Sequence, residues 1–118
     1  MADQPAGAAR AGEGVAELDD AACAALLPVR SARGHKGTYG TLLVVAGSLD
    51  YAGAALLVAG AGGRAGAGLV TLAVPASLQP LFAGRVVEAT TIGLPETETA
   101  GEFDPDGALE RILDFDHD

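Results

Sequence analysis

Tryptophan is absent from the 118 residues, lysine, cysteine and methionine occur once each, and the aromatic side chains are three phenylalanines and two tyrosines. With so few large side chains, any interior must be built from Ala, Val and Leu packed closely. A single cysteine, Cys23, excludes an internal disulfide and a multi-cysteine metal site. In its Ala/Leu-rich surroundings it reads as a small buried hydrophobe. No basic start followed by an apolar signal core precedes it, and no apolar run approaches membrane-spanning length once the glycines are counted. The expectation is a protein of the reducing cytoplasm with no membrane partner. The one lysine, Lys36, is followed by Gly37 and Thr38 but lacks the upstream glycine of a Walker-type phosphate loop, which is excluded. Neither His35 nor His117 has a partner at metal-ligand spacing. Gly47-Ser48-Leu49 is not the G-x-S-x-G of a nucleophile elbow, and no triad can be assembled.

What the chain does have is glycine, 17 of them, and a formal charge of −9 that is unevenly spread. Residues 1–30 carry five acids and two bases, residues 31–87 one acid (Asp50) and four bases (Arg33, Lys36, Arg64, Arg85), and residues 88–118 ten acids and one base. A locally positive middle favours an anionic ligand such as a phosphate-bearing molecule; chance clustering on a solvated surface is the competing reading. The acidic tail argues against nucleic acid as a partner. Asp50 and Glu88 are the only acids in the middle of the chain, and each reads as a turn or surface group in the absence of a partner.

Residues 1–16 are Ala/Gly/Pro-rich and polar, with nothing to bury, and read as a disordered leader. The folded part is expected at 17–118. Asp19 and Asp20 can cap a helix that Pro28 stops. After the basic loop 31–36 comes an apolar run, 42–46, that does not alternate and therefore reads as a central parallel strand covered on both sides. The groove past the carboxyl end of such a strand is where open α/β sheets bind ligands, and Gly47, Ser48, Gly53 and Ala54 would lie there. Residues 54–65 read as a helix despite Gly60, Gly62 and Gly63, each of which costs about 1 kcal/mol relative to Ala, so close packing must support it. Gly66-Ala67-Gly68 breaks the chain. A second buried strand, 69–74, ends at Pro75, and 76–84 is a short helix. Residues 86–92 form a third strand or extended segment, 93–105 a polar loop, and a final helix capped by Asp104 or Asp106 carries the stripe Leu109, Ile112 and Leu113. The fold class is α/β.

Gly60-Ala61-Gly62-Gly63-Arg64-Ala65 matches the G-x-G-x-x-A dinucleotide fingerprint through Gly60, Gly62 and Ala65. A small non-catalytic dinucleotide-binding module is the reading it offers. It requires residues 56–59 to be a first strand and an acid about twenty positions later, a distance occupied by Ala83 to Arg85.

Four linked blocks are more specific. They are His35-Lys36-Gly37-Thr38-Tyr39-Gly40-Thr41, Val45-Ala46-Gly47-Ser48, Tyr51-Ala52-Gly53-Ala54-Ala55 and Arg64-Ala65-Gly66-Ala67-Gly68-Leu69-Val70-Thr71. In order and without large gaps, they resemble the ADP/ATP-dependent NAD(P)H-hydrate dehydratases of the ribokinase-like superfamily. The resemblance implies a three-layer αβα fold of which this chain is a truncated first half with a mainly parallel sheet. It implies repair of the S-epimer of hydrated NADH or NADPH: a nucleotide, ADP or ATP with Mg2+, phosphorylates the offending hydroxyl, and the phosphate leaves with its C–O bond. The positions matching the family's hydrate-binding wall are Gly47, Ser48, Gly53 and Ala54, while Arg64 and the Gly66 to Gly68 turn look like support, a phosphate contact from Arg64 being the alternative. The family's G-T-G-D, whose aspartate is the catalytic base, and its nucleotide site lie in a second half that has no counterpart here. The resemblance therefore implies a fragment without a catalytic residue, inactive alone, and a homo-oligomer for the full-length form.

Overall fold

A computed structural model describes residues 17–115; the leader expected at 1–16 and the tail histidine at 117 lie outside the described residues. The chain divides into two compact units after Ser31. In the first, α1 (Asp20–Leu26) starts where Asp19 accepts a hydrogen bond from the Ala22 N–H at 2.8 Å, as a side-chain cap should. None of its residues is buried. Cys23 is exposed, which corrects the reading of it as a core residue: α1 is a two-turn helix of seven residues, none of them buried.

The second unit holds three parallel strands, β1 (Thr41–Val45), β2 (Leu69–Pro75) and β3 (Thr90–Leu94), in the order β1-β2-β3. The connection from β1 to β2 is α2 (Ala52–Ala65), and that from β2 to β3 contains α3 (Gln79–Ala83), entered through a 3-10 turn at Ala76–Leu78. Strands added stepwise in one direction by crossovers of the same hand place both helices on one face. There Val44, Val70, Leu72 and Val74 pack with Ala55 and Ala59 of α2 and Phe82 of α3. On the other face Ala73 and Leu94 pack with Ala108 of α4 (Pro105–Leu113), joined by Leu43, Ile92, Phe103 and Ile112. The result is the three-layer αβα arrangement around a parallel sheet.

The central strand is β2, not β1. Every residue of β2 from Val70 to Pro75 is buried, whereas Leu42 and Val45 of β1 are 38% and 46% exposed. A non-alternating apolar run therefore marks the middle strand at 69–75, and the run at 42–46, equally apolar, sits at the edge of the described sheet. The third strand begins four residues later than expected. The Arg85 and Val86 N–H groups both reach back to the Phe82 carbonyl, at 2.8 and 3.0 Å, holding 85–89 in an irregular turn that leaves Glu88 outside the strand. The strand then runs through Gly93, where a Cβ would meet the Gln79 amide oxygen at 2.8 Å and Ala76 at 3.1 Å. Glycine lets the 3-10 turn cross β3 closely. In α4, capped by Asp104 as expected, Ile112 of the expected stripe packs against the core together with Ala108, while Leu109 and Leu113 are 55% and 70% exposed.

Of the four glycines inside α2, one is in close contact. A Cβ on Gly62 would come within 2.5 Å of Leu42 Cδ2, whereas Gly60 and Gly63 face open space. The helix ends on Gly66, left-handed at φ 112°, whose N–H reaches the carbonyls of Gly62 and Gly63, the usual way to satisfy terminal carbonyls. Two residues on, Gly68 is fixed by contact: a Cβ there would be 1.6 Å from the Lys36 carbonyl oxygen, and its N–H bonds the Tyr39 and Gly40 carbonyls. The His35 to Gly40 block thus locks the amino-terminal ends of β1 and β2 together.

Candidate functional site

The candidate site is the loop that leaves the carboxyl end of β1 and the first turn of α2. The ladder continues one residue past β1, with the Ala46 N–H on the Ala73 carbonyl at 3.1 Å. Gly47 then turns the chain at φ 107°. Ser48 Oγ accepts from the Tyr51 N–H at 3.2 Å, folding the loop back toward α2. Helix α2 begins at Ala52 with no side-chain cap on Tyr51 and no acid in its first turn. Gly53 and Ala54 lie in that turn and are exposed. All four residues read from the sequence as the wall, Gly47, Ser48, Gly53 and Ala54, therefore belong to one loop-and-turn unit past β1.

The two glycines of this unit differ physically. Gly47 is required by the fold, since its φ is left-handed and a Cβ would collide with Phe82 Cζ at 2.8 Å. Gly53 is required by nothing in the described chain: a Cβ there has no atom within 4 Å. A bare first turn with free space over it presents main-chain N–H groups at the positive end of the helix, which suits an anion or the edge of a flat polar ring.

The same edge of the sheet carries an element that the sequence did not single out. Glu96, just past β3, accepts from the Ser77 hydroxyl at 2.7 Å and from the Ser77 N–H at 2.6 Å, and also from the Gly101 N–H. The Ser77 hydroxyl foremost, then the Gly101 N–H, holds its carboxyl below the usual glutamate range, against a smaller opposing effect of desolvation. The carboxylate ties the loop after β3 to the turn after β2. No local pattern reveals a pair nineteen residues apart.

Other sequence candidates fare differently. Gly60, Gly62 and Ala65 lie inside α2, and residues 56–59 are helix as well. The fingerprint reading needs a strand-to-helix turn at these glycines, so the dinucleotide-module alternative is overturned. Among the described residues no group of three or more His, Cys, Asp or Glu is placed to hold a metal ion. They thus supply no carboxylate set for the expected Mg2+. No helix among them is long and apolar enough to cross a membrane.

No family model matches the chain. Individual proteins do. The bifunctional NAD(P)H-hydrate repair enzyme Nnr of Moorella thermoacetica is 46% identical over 102 residues, 84% of this chain and 19% of that protein. A match of that extent takes in residues 46–54 wherever it starts. The chain is homologous to part of the NAD(P)H-hydrate dehydratases. The ADP-dependent (S)-NAD(P)H-hydrate dehydratase of Lactococcus lactis is 40% identical over 76 residues, 64% of this chain and 28% of that enzyme. The crystal structure of the ADP/ATP-dependent NAD(P)H-hydrate dehydratase from Bacillus subtilis, co-crystallized with ATP/Mg2+, superposes with a TM-score of 0.52 at 42% identity, over 62% of this chain and 26% of that one. The sheet and its helices are thus part of a ribokinase-like dehydratase fold. The chain spans about a fifth to somewhat over a quarter of the length of these relatives.

Proposed function

We propose that this chain supplies part of the substrate wall of an ADP/ATP-dependent dehydratase that returns the S-epimer of hydrated NADH or NADPH to the usable cofactor. The observation that supports it most is the exposed first turn of α2 at Gly53 and Ala54, with open space over Gly53 and within the stretch of 46% identity to a hydrate repair enzyme. In this reading Gly47 and Ser48 shape the turn, and the N–H groups of Gly53 and Ala54 meet the hydrated nicotinamide. The base that would take the proton and the residues that would hold ADP or ATP with Mg2+ are not among those described, so no chemical step is assigned to this chain. A cytoplasmic setting and a homo-oligomeric whole protein belong to the same proposal.

The test uses the 118-residue chain with hydrated NADH. With ATP or ADP present, we expect no conversion above the enzyme-free rate. By calorimetry we expect weak binding of the hydrate that Ala54→Trp abolishes and that intact NADH does not match. Turnover by the chain alone would overturn the fragment reading, and binding indifferent to Ala54→Trp would overturn the site.

A further inference from the structure

The glycine-rich segment of α2 that fails as a dinucleotide fingerprint has another use. Leu56, Ala59, Gly60, Gly63 and Arg64 follow the spacing i, i+3, i+4, i+7, i+8, one face of the helix. Opposite them runs the irregular turn 85–89, and between the two lies a cavity of about 350 Å³ lined also by Arg85, Val86, Val87, Glu88 and Ala89. It shares no residue with the loop-and-turn unit past β1, and Gly60 is about 12 Å along the helix axis from Ala52. Gly60 and Gly63 weaken the helix without serving any contact, since a Cβ on either meets nothing within 4 Å; what their absent side chains leave is this space. The side chains of Arg64, Arg85 and Glu88 make no hydrogen bond or ion pair among the described residues. Two guanidinium groups with unused donors at one apolar-floored cavity form an anion site with room for a body.

We propose that this cavity binds a small phosphomonoester with an apolar group, the phosphate held by Arg64 and Arg85 and the body lying against Leu56, Val86 and Val87. Glu88 opposes the anion and therefore limits affinity. The volume lies in the range of small-molecule pockets. This site stands apart from the hydrate-binding reading and does not depend on it.

Titration calorimetry on the 118-residue chain with phenyl phosphate tests it, with inorganic phosphate and phenol as separate arms. We expect phenyl phosphate to bind at least tenfold more tightly than either. Arg64→Ala and Arg85→Ala should each weaken it by about tenfold or more, the loss of one charge-assisted contact, and Glu88→Gln should tighten it. Gly60→Leu, which fills the cavity from a helical position with free space, should abolish binding while circular dichroism keeps its helical signal. Phenol binding as well as phenyl phosphate, binding unchanged in the arginine variants or in Gly60→Leu, or no binding at millimolar concentration would each overturn the proposal.

Discussion

A Cβ atom on Gly47 would stand 2.8 Å from Cζ of Phe82 and 3.2 Å from Cγ1 of Val74. The turn leaving β1 and the fully buried ring of α3 thus fit together with no room for a methyl group, at a residue whose φ of 107° already disfavours one. Gly47→Ala combines the left-handed penalty with overpacking and should cost about 2–4 kcal/mol. Gly53→Ala has open space and a helical position, so it should leave stability unchanged or raise it by up to about 1 kcal/mol. Urea melts of the two variants measure the contrast, and similar losses in both would show that Gly53 packs against something after all.

Contiguity decides which of these features can be read in the sequence. The apolar run at 42–46, the break at Gly66 to Gly68 and the run at 69–74 announced two parallel strands around a helix, because buried parallel strands are apolar throughout and glycine marks where they turn. Which of them lies in the middle was not legible, since Leu42 to Val45 is as apolar as Leu69 to Val74 and strand order depends on neighbours far along the chain. The loop-and-turn unit at 47–54 was legible because its residues follow one another. The Glu96–Ser77 pair and the cavity at Arg64 and Arg85 were not, because each is made by segments that only the crossovers bring together.

Acid should loosen the edge where β2 and β3 end. The folded-state pKa of Glu96 is depressed by the Ser77 hydroxyl and the Gly101 and Ser77 N–H groups. Its stabilising contribution is therefore complete above the unfolded value, near pH ~4.3, and is lost as pH falls through the lower folded value, because in that window the unfolded chain binds more protons. Urea midpoints measured from pH 6 downward should fall for the native chain. Glu96→Gln should start lower and decline less over the same range; an unchanged slope would remove Glu96 from the acid response.

Gly68 is the position where any side chain conflicts with backbone. A Cβ would lie 1.6 Å from the Lys36 carbonyl oxygen and 3.1 Å from that of Gly40, and neither can rotate away as a side chain could. Gly68→Ala must separate the His35 to Gly40 block from the start of β2 and should cost more than about 4 kcal/mol. The expected outcome is a chain without a cooperative thermal transition. A melting temperature within a few degrees of the native one would mean that the block is mobile.

Two glycines in one helix should respond differently to the same substitution. Gly60→Ala removes the propensity penalty and brings the new methyl group against no neighbouring atom, so a gain of about 1 kcal/mol is expected. At Gly62 the same gain is opposed, because the new methyl group would lie 2.5 Å from Leu42 Cδ2. That atom is the tip of a flexible side chain that is 38% exposed, so it can rotate outward at the cost of its own burial and of a gap at the edge of β1. The two effects are of similar size, roughly 1 kcal/mol each, and Gly62→Ala should be close to neutral. Replacing Leu42 with Ala as well relieves the clash, so the double variant should be more stable than the sum of the single changes predicts. Chemical denaturation of the four chains gives the coupling directly, and strict additivity would place Leu42 away from Gly62 in solution.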